Sequence, residues 1–316
     1  MPRNDGFTYH ERVGATGNGE TLLTYLGASY RHSSPLEWTE RIEAGEVLID
    51  GARASLDQAL RPGQELSWKR PPWNEPDAPL EYAIVREDDD VIVVAKPAGL
   101  PTLPGAGFLQ STLLHQVRRH ASGATPVHRL GRWTSGLVLF AHNRTAAAEL
   151  ARQLRAREIG KRYRALASGD PSWDELTIDQ PIGPVPHPWL GTVHAAAPDG
   201  RPSVSRVEVV ERRAGSFLCD VRIATGRPHQ IRIHLSSAGY PLVGDPLYIA
   251  QGRPSSDSSA VPGDPGYSLH AAELTFHHPR TGDPITVTCP PPPELSCSTP
   301  PSRPCSESCT PDIPSP

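Results

Sequence analysis

The sequence predicts an α+β protein in which a mixed or antiparallel sheet is flanked by helices, with a smaller α+β unit ahead of it. Three observations carry this. Strand-like alternation recurs over 161–167, 203–211 and 216–224, the last with Phe217, Cys219, Val221 and Ile223 on one face. Strands outnumber helices, without the strand–helix–strand alternation of a dinucleotide-binding fold. The stretch PPWNEPDAP, residues 71–79, reads as a linker, because successive prolines forbid a helix and keep the chain extended.

In chain order, residues 1–17 read as a flexible leader and 18–70 as a small domain. Residues 21–26 and 36–42 carry apolar side chains at helical spacing, and Gly45 supplies a C-terminal stop. Residues 47–51 read as a strand with an Asp-Gly turn, and 60–66 as a turn entering a second strand. The larger domain, 80–289, opens with a hairpin: 82–86, a turn at Asp88 to Asp90, then 91–95. Residues 111–120 and 144–157 are predicted helices around a buried strand at 137–141. Residues 225–235 open another helix, where Gly226 allows a turn, Pro228 suits the first turn, and Ile231 and Leu235 lie on one side. Strands at 273–277 and 285–288 close the domain.

Residues 290–316, rich in Pro and Ser, are expected to be a disordered tail. Of five cysteines, Cys219 falls in a core strand; Cys289, Cys297, Cys305 and Cys309 lack the paired spacing of a zinc site. His270, His277 and His278 cluster near a strand with no carboxylate or cysteine at ligand spacing, so no metal is expected. The 316 residues carry a net charge of -4, so a nucleic-acid role must rest on a local basic patch. No apolar run approaches a membrane span and residues 1–19 hold no signal-peptide core, which reads as a cytoplasmic protein with no membrane partner. A monomer is the default.

The densest chemistry lies in PVHRLGRWTSGLVLF, residues 126–140, where a polar turn runs into the apolar strand. Its His128, Arg129 and Arg132 can bind phosphate or fix a carboxylate, while a basic surface loop ahead of a core strand accounts for it equally. Trp133 could stack on a base, although packing explains it better. Arg152, Arg155, Arg157, Lys161, Arg162 and Arg164 make a basic stripe that a solvated helix face or an RNA contact would both explain.

Four stretches in order, VVAKPAGLP, HRLGRWTSGLVLFA, KRYRALASG and TGRPHQIRIHL followed by VGDPLY, resemble the RluA-type RNA pseudouridine synthases over about residues 80–290. The small domain, with GVLIDG and LRPGQEL, resembles the αL-motif RNA-binding module fused to many RNA-modifying enzymes, although its acids about equal its bases. The resemblance implies isomerisation of uridine to pseudouridine in structured RNA, ribosomal or transfer, with no cofactor or metal. The uridine is flipped out of its stack into a pocket. In the family an aspartate directly after His-Arg-Leu begins the reaction. An arginine in His-Gln-Ile-Arg pairs with it and keeps it ionised, and a tyrosine in Lys-x-Tyr stacks on the uracil and is implicated in proton removal. Here those positions are Gly131, Arg232 and Tyr163. His128, Arg129, Arg132, Lys161 and Arg227 form the RNA-binding set.

Gly131 departs from the family, because glycine has no side chain to act as nucleophile or base. It leaves Arg232 facing a different anion or water. Pro228 stands where the family usually has threonine. Three readings follow: a synthase in which Asp245 of VGDPLY, or less simply Asp88 to Asp90, fills the vacancy; a family member that binds RNA without modifying it; or a protein scaffold on an inherited fold.

Overall fold

The computed structural model describes residues 2–30, 32–188, 190–255 and 259–298. These fall into two compact units, Met1–Ala78 with Leu103–Gln116, and Pro79–Thr102 with Val117–Pro316. The first unit holds β1 (Phe7–Arg12), α1 (Leu22–Ser29), α2 (Pro35–Glu43), β2 (Val47–Ile49), β3 (Ala52–Arg53) and β4 (Glu65–Arg70), its strands in the order β1-β4-β2-β3. Helix α2 starts at a capping box in which Ser34 and Glu37 satisfy each other's backbone N–H groups, with Pro35 at the first position. Leu22, Leu26, Trp38, Ile42, Val47 and Ile49 are buried together, the core expected from the helical and strand spacing.

Two expectations are corrected in this unit. The leader is not loose: residues 7–12 pair antiparallel along all of β4. The proline-rich segment is not a free linker either. Glu75 is 1% exposed and accepts the backbone N–H groups of Leu109 at 3.0 Å, Gln110 at 2.8 Å and Ser111 at 2.8 Å. Asn4 adds a further donor to it at 2.9 Å. Burial works against this carboxylate's charge, and the four donors outweigh it, bringing its pKa down to about 2. Proline forbids the helix, but it does not stop an extended chain from being tied down by side chains.

The second unit is built on one large sheet. Strands β5 (Ala83–Glu87) and β6 (Val91–Lys96) form the predicted hairpin, and α3 (Leu113–His120), whose first four residues fall in the first unit, β7 (Thr125–Pro126), β8 (Ser135–Ala141) and α4 (Arg144–Ala156) follow. Next come β9 (Gly160–Ser168), β10 (Glu175–Ile178), β11 (Ile182–His187), β12 (Gly191–Ala196), β13 (Ser205–Arg213), β14 (Ser216–Ile223), α5 (Gln230–Ser237), β15 (Leu269–His277) and β16 (Pro284–Thr288). The order β10-β13-β14-β9-β15-β8-β6-β5 is antiparallel throughout except where β15 meets β8 in parallel, so the sheet is mixed as expected. Leu137, Leu139, Ala146, Leu150, Leu274 and Phe276 fill the layer between this sheet and α4. The β11–β12 ribbon escaped the sequence reading, because Pro184 and Pro186 sit in β11 and proline suits a two-stranded edge but not a central strand.

Parallel pairing depends on Gly136, whose φ of +101° is natural only for glycine and whose missing Cβ would lie 2.3 Å from the Ala271 carbonyl oxygen. The expected tail is corrected over 290–298. Leu295 is 1% exposed, and Glu211 accepts from the Ser298 backbone at 2.7 Å, so this stretch packs on the unit. Residues 299–316, with Cys305 and Cys309, lie outside the described residues. The basic stripe is broken as well: Arg152 pairs with Glu149 and Glu158, Arg162 with Asp220 and Glu273, and Arg164 with Asp220.

Two measurements check these anchors. Gly136→Ala is expected to lose about 3 kcal/mol or more of stability in urea unfolding, from backbone strain and the clash with Ala271. Glu75→Gln should lose about 3 kcal/mol at pH 7. Because the native carboxyl titrates below the unfolded one, that contribution exists above the ordinary value of 4.5 and is lost as pH falls toward 2. Wild type and variant should therefore converge in acid.

Candidate active site

The loop before β8 is held from three sides. The Thr102 hydroxyl accepts from the Leu130 N–H at 3.2 Å and donates to the Leu130 carbonyl at 2.9 Å. The Thr134 N–H donates to the Gly131 carbonyl at 3.1 Å and closes a tight turn. Lys96, 2% exposed, donates to the carbonyls of Pro97, Leu100 and Arg132 at 2.8, 2.7 and 3.0 Å, which matches the three N–H bonds of an ammonium. Arg132 itself donates to the Gly99 carbonyl at 3.0 Å, and Trp133 to the Gly263 carbonyl at 2.9 Å. Both therefore brace loops, as the packing view of Trp133 anticipates.

Helix α5 supplies the opposite wall. It starts at Gln230, after His229 in a left-handed conformation with φ 55°, so Pro228 lies ahead of the helix and costs it no hydrogen bond. Gln230 organises the preceding loop. Its amide donates to the Val204 carbonyl at 2.9 Å, and its oxygen accepts from the Thr225 hydroxyl at 2.7 Å and the Arg227 N–H at 3.1 Å.

Arg232 and Asp245 form a two-pronged pair, Nε to Oδ2 at 2.7 Å and Nη2 to Oδ1 at 2.8 Å. The side chains are 2% and 0% exposed. Nη1 donates to the Pro262 carbonyl at 2.9 Å, and the guanidinium lies 4.1 Å from the Tyr267 ring centre and 5.0 Å from that of Tyr248. Asp245 Oδ1 also accepts the Leu247 and Tyr248 N–H groups. Burial pushes the Asp245 pKa up, but Arg232 and these donors hold the carboxyl below its ordinary value. Arg232 thus has an anion, and both oxygens of that buried anion are engaged by it.

Between the two walls opens a cavity of about 90 Å³, lined by Arg129, Leu130, Gly131, Thr134, Tyr163, Ile223, Arg227, His229, Gln230, Ile231, Arg232, Tyr267 and Leu269. None of these is a carboxylate. The cavity gathers Gly131, Tyr163 and Arg232 with Arg129 and Arg227; Asp245 stands behind Arg232, outside the lining. This position corrects the expectation that Asp245 can replace the missing carboxylate. Asp88 to Asp90 lie at the β5–β6 turn, also outside the lining. A Cβ on Gly131 would sit 3.1 Å from the Tyr267 hydroxyl and 3.5 Å from that of Thr134.

Protonation states follow from burial. Tyr163 is buried and its pKa is raised, so its phenol stays neutral and offers a flat face rather than a ready base. His128 accepts the Leu139 N–H at 3.2 Å on Nε2, and burial with the nearby Lys161 pushes its pKa down to about 3. It positions β8 as a neutral ring. His229 is likewise pushed down to about 3 by burial, then by Arg232, and shares a 2.9 Å hydrogen bond with the Tyr248 hydroxyl. Burial also lowers the Lys161 pKa, and among the described residues Lys161 has no hydrogen bond or ion pair. Arg227 Nε is buried without a partner.

Lys96, Thr102, Gln230 and Tyr267 were missed by sequence reasoning. The first three stood inside or beside the motifs, but nothing in the spacing marked them as loop anchors. Away from the cavity, His278 comes within 3.4 Å of Asp88 and 3.8 Å of Asp90, a grouping that linear spacing could not reveal. Arg280 and Asn143 bond the Asp90 carboxylate there at 2.7 and 3.0 Å. His270 instead bonds Ser135 at 2.9 Å and the Cys289 carbonyl at 3.1 Å.

The cavity joins a tyrosine ring to a basic rim on a mixed-sheet domain. The RNA pseudouridylate synthase family model matches residues 90–237. A Synechocystis protein named as an uncharacterised RNA pseudouridine synthase is 40% identical over 276 residues, covering 87% of this chain and 95% of its own. The ribosomal large subunit pseudouridine synthase D of Nitrosomonas europaea is 36% identical over 81% of this chain and 76% of its own. The structure of human RNA pseudouridylate synthase domain containing 1 matches with a TM-score of 0.56 at 27% identity, over 71% of this chain and 89% of that one. The chain belongs to the RNA pseudouridine synthase family.

Asp245→Asn leaves Arg232 buried without its counter-charge and is expected to lose about 3–5 kcal/mol in denaturant unfolding at pH 7. Since the native carboxyl titrates below the unfolded one, the loss should shrink as pH falls below about 4.

Proposed function

We propose that this protein is an RNA pseudouridine synthase that receives a uridine extruded from structured ribosomal or transfer RNA into the cavity at Gly131. One observation carries the reading: Arg227, whose Nε is a buried donor without a hydrogen-bond partner among the described residues, lines the cavity together with Tyr163 and Arg129, and Lys161, two residues before Tyr163 in β9 but outside the lining, is a second desolvated cation. A buried cation without an anion is costly, and a backbone phosphate relieves that cost while tying RNA to the site. Arg129, exposed on the rim, adds a second phosphate contact. The Tyr163 ring supplies the stacking face for uracil. The name of the Nitrosomonas relative supports a ribosomal target.

In this reading residue 131 takes no part in the chemistry. The groups left to exchange protons with the substrate are the hydroxyls of Thr134, Tyr163 and Tyr267 and the neutral His229. A second reading, RNA binding without turnover, is favoured by a specific feature: no carboxylate lines the cavity, and both Asp245 oxygens are engaged behind Arg232.

Mass spectrometry of ribosomal and transfer RNA after chemical labelling, from cells with and without the chain, decides between them. A pseudouridine that vanishes on deletion supports the synthase, and Gly131→Ala should then leave turnover within about tenfold. If no site changes, Gly131→Asp in the purified protein is the test of the silent reading. It should create turnover by restoring a group worth about 10² to 10⁴ in rate. In either case Lys161→Ala and Arg227→Ala should each lower the salt dependence of RNA binding by about one phosphate. An unchanged salt slope in both variants would remove RNA from this site.

A further inference from the structure

A second, larger cavity lies wholly in the first unit. It measures about 800 Å³ and opens among α2, β1, β4 and the 105–108 loop. Its walls are flat rings. Tyr9 stacks on Trp68 at 5.3 Å and 20°, and His32 lies over Trp68 at 6.2 Å and 20°. Trp38 meets Trp68 edge-on at 5.1 Å. Trp73 is fixed by its Nε1 donating to the Gly107 carbonyl at 2.7 Å.

Two guanidiniums cover these rings. Arg41 sits 4.8 Å from the Trp38 ring centre and 4.6 Å from that of Trp68; Arg70 sits 3.5 Å from that of Trp73. Arg41 also donates to the Ser33 hydroxyl at 2.6 Å. Arg70, half-buried, has no hydrogen bond or ion pair to a protein acceptor among the described residues. The carboxylates at the rim do not neutralise it. Glu11 accepts the hydroxyls of Tyr25 and Tyr30, and Glu37 closes the Ser34 capping box with Oε2 while its Oε1 lies 4.0 Å from Arg41, so Arg70 is the cation left for a ligand.

We propose that this cavity binds one unpaired nucleotide of single-stranded RNA, its base against the half-buried Trp68 and Trp73 side of the aromatic wall and its phosphate on Arg70, with Arg41 beside it. The inference rests on the reading that the protein's substrate is RNA, and it adds a second contact remote in sequence from the Gly131 cavity. Aromatic faces stack on any base without reading its sequence, and planar guanidiniums grip a phosphate through paired hydrogen bonds. The alternative aromatic-cage ligand, a quaternary ammonium, is repelled by two fixed cations. A core left wet by chance explains the rings but not a guanidinium laid over a tryptophan with its hydrogen-bond donors unspent. Acids outnumber bases in this unit, so RNA is held at one pocket rather than by a broad basic face.

The test titrates the full chain with a 5′-phosphorylated oligoadenylate at low salt, following tryptophan fluorescence. This probe contains no uridine, so it does not report on the isomerisation site, and a negative result leaves the proposed function standing. Binding should quench the fluorescence. Arg70→Gln should weaken it at least tenfold with an unchanged melting temperature, while Arg61→Gln, an exposed arginine outside the cavity, should bind as wild type. Equal binding by Arg70→Gln and wild type overturns the proposal. So does the absence of quenching, or an equal loss in Arg61→Gln, which would mean diffuse attraction only. Trp73→Phe provides a second variant: a loss of affinity smaller than that of Trp73→Leu supports stacking, and equal losses count against it.

Discussion

The pair of Arg232 and Asp245 is the constraint on which the catalytic unit's cavity depends. Arg232 is buried between Tyr248 and Tyr267, and it can remain charged there only because a fully buried carboxylate takes two of its donors and the Pro262 carbonyl a third. Asp245 in turn caps the Leu247 and Tyr248 backbone, which fixes the turn carrying Tyr248. Through Tyr248 and its contact with His229 the pair also sets the residue before α5. One ion pair therefore joins α5, the 245–248 turn and the 262–267 segment into a single wall.

That arrangement has a direct consequence for chemistry. A cation poised to depress a substrate-facing carboxylate would need a carboxylate at 131, and there the chain has none. Its charge is instead balanced internally, which preserves the architecture of the pocket without supplying a reacting group. Among the described residues, the Arg227 Nε is a buried donor without a hydrogen-bond partner, and burial lowers the Lys161 pKa. In the first unit carboxylates are committed to tyrosines and a helix cap while Arg70 remains open.

The order of strands and helices was legible because alternation and helical spacing are properties of neighbouring residues. So was the importance of the 126–140 stretch, in which polar turn and buried strand are continuous in sequence. The leader and the proline-rich segment were misread for a shared reason. Their order comes from partners far along the chain, β4 for residues 7–12 and the 109–111 backbone for Glu75, and local composition records neither. The basic stripe, which a solvated helix face or an RNA contact would both explain, was left open by the sequence for the same reason, since Asp220 and Glu273 reach Arg162 across the sheet.

The sequence by itself determined the α+β class, the family resemblance and the absence of a side chain at 131, because motif order and residue identity require no coordinates. Tertiary structure alone decided where Asp245 stands. Its motif placed it as a candidate for the vacancy, but only packing could show its carboxylate turned inward to Arg232, with every oxygen occupied. The physical reason is general: whether a carboxylate reacts depends on which lone pairs remain free and how far it is from water, and both are set by neighbours that spacing along the chain does not specify.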